Sequence, residues 1–140
     1  MAKTLKGIAA LAGGIAGMYV RMPITIQLLV LLMVLDYISG IGAAIVGKSP
    51  KTPTGTLNSK TGFIGLARKA MILIIVLLAS ILDMIIDSAA CTGAVTLFYT
   101  ANEALSILEN AVLLGVPVPA RLIQVLDVAK QSREDTSGTL

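Results

Sequence analysis

Three stretches of this chain are apolar for the length of a bilayer, and each carries acid inside it. They run Ile24 to Val46, Ile64 to Ile86 and Gly93 to Leu114. Each has the roughly 20 residues an α-helix needs to cross a hydrocarbon core of about 30 Å. Within them lie Asp36, Asp83, Glu103 and Glu109. In lipid every backbone N–H and C=O must find its partner inside the protein, so such stretches can only be helices. The chain is 56% hydrophobic and only 14% charged, against roughly 25% charged in soluble domains. The expectation is an all-α, integral membrane helical bundle, a single membrane domain over residues 1–140.

The remaining segments follow from composition. Leu5 to Val20 is short for a crossing and rich in Gly and Ala, a short Gly-rich N-terminal helix over 5–20. Ala9, Gly13 and Gly17 recur every fourth residue, which marks either a helix-packing face or a loosely held interfacial segment. Lys3, Lys6 and the tripeptide Ala10-Leu11-Ala12 suggest a signal peptide, but the apolar run before the tripeptide is too short. The segment is expected to be retained. Gly47 to Gly62, with Pro50, Pro53 and many Thr, Ser and Lys, reads as an exposed loop. After Pro117 and Pro119, Val118, Leu122, Val125, Leu126 and Ala129 share one face. They describe an amphipathic helix over 118–131, lying on the membrane surface or against the bundle. Residues 132–140 form a polar tail.

Charge sets the orientation. Lys48, Lys51, Lys60, Arg68 and Lys69 crowd one connection without an acid, whereas Asp83 and Asp87 mark the next. The positive-inside rule puts the first of these in the cytoplasm. If the N-terminal helix also spans, both termini are cytoplasmic. The sequence pI near 9.2 is then a topology signal, and no nucleic-acid partner is expected. There is no His, and Cys91 is the only cysteine. That excludes His/Cys metal sites, a Ser-His-Asp triad and an internal disulfide. No enzyme, cofactor or metal is expected. Cys91 is either an apolar filler or a cross-link between subunits.

The last span carries a polar stripe. Thr92, Thr96, Tyr99, Glu103, Ser106 and Asn110 fall on one helical face, flanked by Asn102 and Glu109. The stripe either lines a pore or subunit contact, or forms a hydrogen-bonded seam inside the bundle. Asp36 and Glu103 are each near the middle of a span, at similar depth, with no base expected beside them. Arg68 and Lys69 enter at about the depth of Glu109, and Arg21 shares a side with Asp83. Both sets read as structural ion pairs.

Several short motifs, in order, resemble a known family. Leu35-Asp36-Tyr37-Ile38-Ser39-Gly40 resembles the D-Y-x-T/S-G motif of a phage lysis holin family that includes the clostridial toxin-secretion holins. Leu57-Asn58-Ser59-Lys60-Thr61-Gly62 resembles its L-N-S-K-x-G loop, and Gly65 with Arg68-Lys69 the G-x-x-x-K start of the next span. Asp83 stands where that span carries an acid. Asn102-Glu103 with Ser106-Ile107-Leu108-Glu109-Asn110 resembles E-x-x-S-I-L-E-N, and Gly115-Val116-Pro117-Val118-Pro119 its close. The resemblance runs from about Leu28 to Leu126. It implies a protein of the bacterial inner membrane that oligomerises and opens lesions. Endolysin then escapes as cargo rather than as a bound partner, or in clostridial relatives a toxin. The lipid bilayer and other copies of the chain are the implied partners. Asp36, Gly40, Thr96, Tyr99, Asn102, Glu103, Ser106, Glu109 and Asn110 are the candidates for pore or oligomer contacts. The alternatives are a small ion channel or transporter subunit, and a membrane adaptor. Against a transporter stand the absence of an inverted repeat and the scarcity of aromatics, three Tyr and two Phe.

Overall fold

The computed structural model describes residues 2–122, 124 and 125. Among these there is no strand, and four long helices follow one another: α1 (Ala2–Arg21), α2 (Ile24–Ile45), α3 (Ser59–Ile86) and α4 (Ala90–Leu114). By length and composition α2 and α3 suffice to cross a membrane. The expectation of three spans is therefore met on that measure by two, because the acids, amides and hydroxyls of α4 make it the more polar helix.

α1 stops before Pro23, since the residue preceding a proline is driven out of the helical region. The break is tied locally. The Tyr19 hydroxyl donates to the Gln27 carbonyl at 2.9 Å, and the Gln27 amide donates to the carbonyls of Met22 at 2.8 Å and Val20 at 3.2 Å. The two bonds from the Gln27 amide satisfy carbonyls left open at the end of α1.

Beyond that corner α1 stands apart. Residues 3–18 are exposed, and a Cβ added at Gly13 or Gly17 would meet nothing within 4 Å. The small-residue face therefore has no partner among the described residues of this chain.

The connection from α2 to α3 is folded rather than simply exposed. Gly47 and Gly55 both take positive φ, +72° and +71°, and a Cβ on Gly55 would stand 2.2 Å from the Gly47 carbonyl oxygen. Only glycine fits there. The Ser49 amide donates to the Gly55 carbonyl at 2.9 Å, the Thr52 hydroxyl donates to the Thr56 carbonyl at 2.9 Å, and Ser49 and Thr52 are buried. The loop ends at Asn58, whose side-chain oxygen accepts from the amides of Lys60 and Thr61 at 2.9 and 3.2 Å. This N-cap starts α3 at Ser59, five residues before the apolar run begins.

The turn from α3 to α4 uses Asp87 in the left-handed region, φ 52°, with the Ser88 amide returning to the Asp83 carbonyl at 3.0 Å. α4 ends at Gly115, φ 84°, where the Val116 amide closes on the Ala111 carbonyl. This is a glycine-terminated C-cap. Helix resumes at Ala120, with Leu122 and Val125 exposed. The rest of the amphipathic segment and the tail lie outside the described residues.

α4 packs against both α2 and α3, which touch each other little. The buried apolar core is small: Leu29, Met33 and Val76, lined by Ile72, Val95 and Tyr99 among others. Large apolar side chains instead cover the outside, among them Leu77, Leu78, Ile85, Leu97 and Phe98. Apolar outside and polar inside is the reverse of a protein solvated by water, and it is the pattern lipid requires.

Candidate functional site

The buried face of each packed helix has helical spacing, and on each face a polar residue takes a place a soluble core would give to Leu. On α2 the buried line includes Leu29, Met33, Asp36 and Ala43; on α3 it is Val76, Ala79 and Asp83; on α4 it is Thr96, Glu103 and Asn110. The α4 stripe is thus turned inward, toward α2 and α3. In this chain it is a seam between helices.

Lys69 sits at the seam's centre. Its Nζ donates to Asp36 Oδ2 at 2.8 Å and also to Glu103 Oε2. One ammonium joins carboxylates from two other helices, so the three helices meet at a single cation. This corrects the expectation that no base lies beside Asp36 and Glu103. The reason is the start of α3. With the helix beginning at Ser59, Lys69 is ten residues in, Asp36 nine residues from the end of α2, and Glu103 eleven from the end of α4. At 1.5 Å per residue all three lie about 14–17 Å from the loop-side ends. Lys69 is thereby removed from the expected pairing with Glu109. A lone charge at such depth is strongly disfavoured, whereas a paired and hydrogen-bonded one can be held.

Asn110 extends the network. Its Nδ2 donates to Ser39 Oγ at 2.9 Å and to Asp36 Oδ1 at 3.2 Å. The Ser39 hydroxyl donates to the Asp36 carbonyl at 3.0 Å. Gly40 lies under this amide, where an added Cβ would come within 3.7 Å of Asn110 Nδ2. An added Cβ on Gly62 would come within 3.6 Å of the Tyr37 hydroxyl. Thr96 returns its hydroxyl to the Thr92 carbonyl at 2.6 Å. Tyr99 packs against the apolar core and edge-on to Phe98. Asn102, Ser106 and Glu109 are half-buried along the same helix. No buried side-chain nitrogen or oxygen among the described residues lacks a hydrogen-bond partner.

Asp83 acts differently from the expected pairing with Arg21. Its two carboxylate oxygens accept from the amides of Cys91 at 2.9 Å and Thr92 at 2.7 Å. The position before α4 is Ala89, which offers no side-chain acceptor. Asp83 from the preceding helix supplies the missing cap, and an acid there also meets the positive end of the helix dipole. Arg21 is exposed at the end of α1. Among the described residues Arg68 makes no ion pair. The sequence signal for the Asp83 cap was weak: an acid one turn before a break, with Asp87, Ser88 and Thr92 nearer the start of α4, of which the Ser88 hydroxyl accepts from the Ala90 amide at 3.1 Å.

A cleft of about 490 Å³ opens between the α2–α3 loop and the helix ends and descends to Asp36, Lys69 and Glu103. No group of His, Cys, Asp and Glu that could hold a metal ion occurs among the described residues.

Comparison with known proteins adds the family. Residues 13–131 match the bacteriophage holin family. A probable holin of Bacillus phage phi105 is 33% identical over 110 residues, covering 78% of this chain and 76% of the phage protein. An uncharacterised protein of Listeria innocua is 38% identical over 133 residues, 92% of this chain and 88% of its own. Another, from Halalkalibacterium halodurans, is 35% identical over 128 residues, 87% and 90% respectively. No solved structure matches the chain.

Proposed function

Because the chain belongs to the bacteriophage holin family, we propose that it oligomerises in the bacterial inner membrane and opens lesions that release an endolysin or, in a bacterial setting, a toxin. The observation that carries this reading is the inversion of polarity. The outer faces of α2, α3 and α4 suit lipid, while a continuous line of acids, amides and hydroxyls is stored between the helices. A helix that can turn such a line from its own chain toward water can line an aqueous lesion. In this reading α4 crosses the membrane with α2 and α3, and Asp36, Thr96, Tyr99, Glu103, Ser106 and Asn110 become the wetted or subunit-contacting surface. The exposed α1, with Gly13 and Gly17, is open to contact with a second copy. Lys48 to Lys69 and both termini are cytoplasmic.

Glu103 provides the test. Glu103→Gln keeps shape and hydrogen bonding; Glu103→Leu removes both polar functions. A polar group that gains water or a partner on assembly favours the assembled state by about 1 kcal/mol. The Leu variant is expected to delay or abolish lysis at equal membrane-inserted protein, with Gln milder. The readouts are depolarisation and release of a co-expressed endolysin after induction. Wild-type timing in the Leu variant at equal protein level removes the stripe from the lesion. A small ion channel, the alternative suggested by a cleft ending at a charged trio, depolarises the cell without releasing a folded enzyme.

A further inference from the structure

The cleft above the charged seam does not end on itself. It shares Ile64, Arg68 and Ile72 with a second groove of about 440 Å³, whose other walls include Phe63, Ala67, Met71, Ile75 and Tyr99. One compartment carries the charged and hydroxyl groups among apolar walls, its neighbour is almost wholly apolar, and Arg68 stands in the wall of both. In the first, Lys51, Arg68 and Lys69 face two carboxylates, Asp36 and Glu103. Lys69 is engaged by both acids. Lys51 and Arg68 are exposed and make no ion pair among the described residues. Thr52, Asn58 and Thr61 add polar groups beside them. With all five groups charged, the compartment carries one cation in excess, which a single phosphodiester would neutralise. The groove runs along α3 from Phe63 to Ile75, about 18 Å at 1.5 Å per residue. One leaflet of a hydrocarbon core of about 30 Å is roughly 15 Å deep. The cleft opens at the loop end of α2 and α3, the level of the headgroups, where basic pockets between spanning helices take anionic lipids.

We propose that this chain binds one anionic phospholipid, its phosphate between Lys51 and Arg68 and an acyl chain in the groove lined by α3 and Tyr99. The site rests on the chain being a membrane protein but not on its forming lesions, so its test is separate from the lysis assay.

The full chain in a neutral detergent is titrated with dioleoylphosphatidylglycerol or dioleoylphosphatidylcholine while its thermal unfolding is followed. The anionic lipid is expected to raise the midpoint and the zwitterionic one to leave it nearly unchanged. At about 1 kcal/mol per cation, Lys51→Gln with Arg68→Gln should weaken phosphatidylglycerol binding by at least about tenfold. Lys48→Gln with Lys60→Gln removes the same charge from positions outside both compartments, and should leave binding within about twofold. If the first double variant fails to accumulate, Lys51→Gln alone, at an exposed loop position, should show part of the same loss. Ala67→Trp fills the groove and should weaken the dioleoyl lipid while sparing the dihexanoyl form. Equal protection by phosphatidylcholine, equal loss in the Lys48/Lys60 variant, or equal stabilisation by inorganic phosphate overturns the proposal. So does protection that follows protein concentration rather than lipid charge, which would seat a second copy in the groove.

Discussion

Lys69 ties three helices together at one point. It is the single cation between Asp36 and Glu103, and without it two carboxylates face one another in a low-dielectric seam. Removing one partner of a buried pair costs about 3–5 kcal/mol. The low end applies here, because the cleft leaves the Lys69 side chain 13% exposed. Lys69→Met is expected to destabilise the bundle by about 3 kcal/mol, measured by titrating the solubilised protein with a denaturing detergent and following its helicity. Lys69→Met combined with Asp36→Asn should recover part of the loss, since the remaining acid is no longer opposed by a second. A single variant as stable as the wild type would mean that the ammonium contributes little beyond filling the space. The pairing was hidden in the sequence because it depends on where α3 begins, and Asn58 sets that start ahead of the apolar run.

At the scale of helices, the start of α4 is decided by a side chain from the helix before it. Asp83 belongs to α3 but caps α4, so it couples the two helices as well as terminating a turn. Loss of a cap costs about 1 kcal/mol. Asp83→Ala is expected to speed hydrogen exchange at the amides of Cys91 and Thr92 about fivefold, the rate equivalent of that energy, while amides near Glu103 stay as they are. Asp83→Asn keeps one acceptor and should fall between. Uniform acceleration along α4 would mean that the whole hairpin, rather than its cap, had been loosened. The spacing of Thr92, Thr96, Tyr99, Glu103, Ser106 and Asn110 was readable as one face because helical periodicity needs no tertiary information. Which surface that face meets was not readable, since lipid-avoiding residues satisfy the same spacing against water, a second copy or the chain's own helices.

For the whole molecule, apolar exteriors and a charged interior make the bilayer the solvent, and the cations on one connection then set the direction of insertion. A cysteine at Lys51 in a Cys91→Ser background is expected to resist an impermeant thiol reagent in intact cells and to react after the membrane is opened. Ready labelling from outside would reverse the orientation. A cysteine at Ala2 distinguishes two arrangements: protection matches an α1 that crosses, whereas labelling from outside with Lys51 protected leaves three crossings. The small-residue face of α1 was visible in the spacing of Gly13 and Gly17, yet no described part of the chain lies against it. A face suited to close approach says nothing about who approaches.

Composition and periodicity alone determined that this chain is helical, that it carries bilayer-length apolar segments, and that one face of α4 is polar. Each of these follows from local physics, the need to satisfy backbone groups in lipid and the 3.6-residue turn. The order of its short motifs pointed to the holin family, to which the match over residues 13–131 and 33% identity with a probable phage holin assign it. Tertiary structure decided which charges meet. Lys69 reaches Asp36 and Glu103, Asp83 turns to α4, and Asn110 closes on Ser39. Those pairings depend on the relative depth of three helices, and depth is fixed only when caps, turns and packing act together.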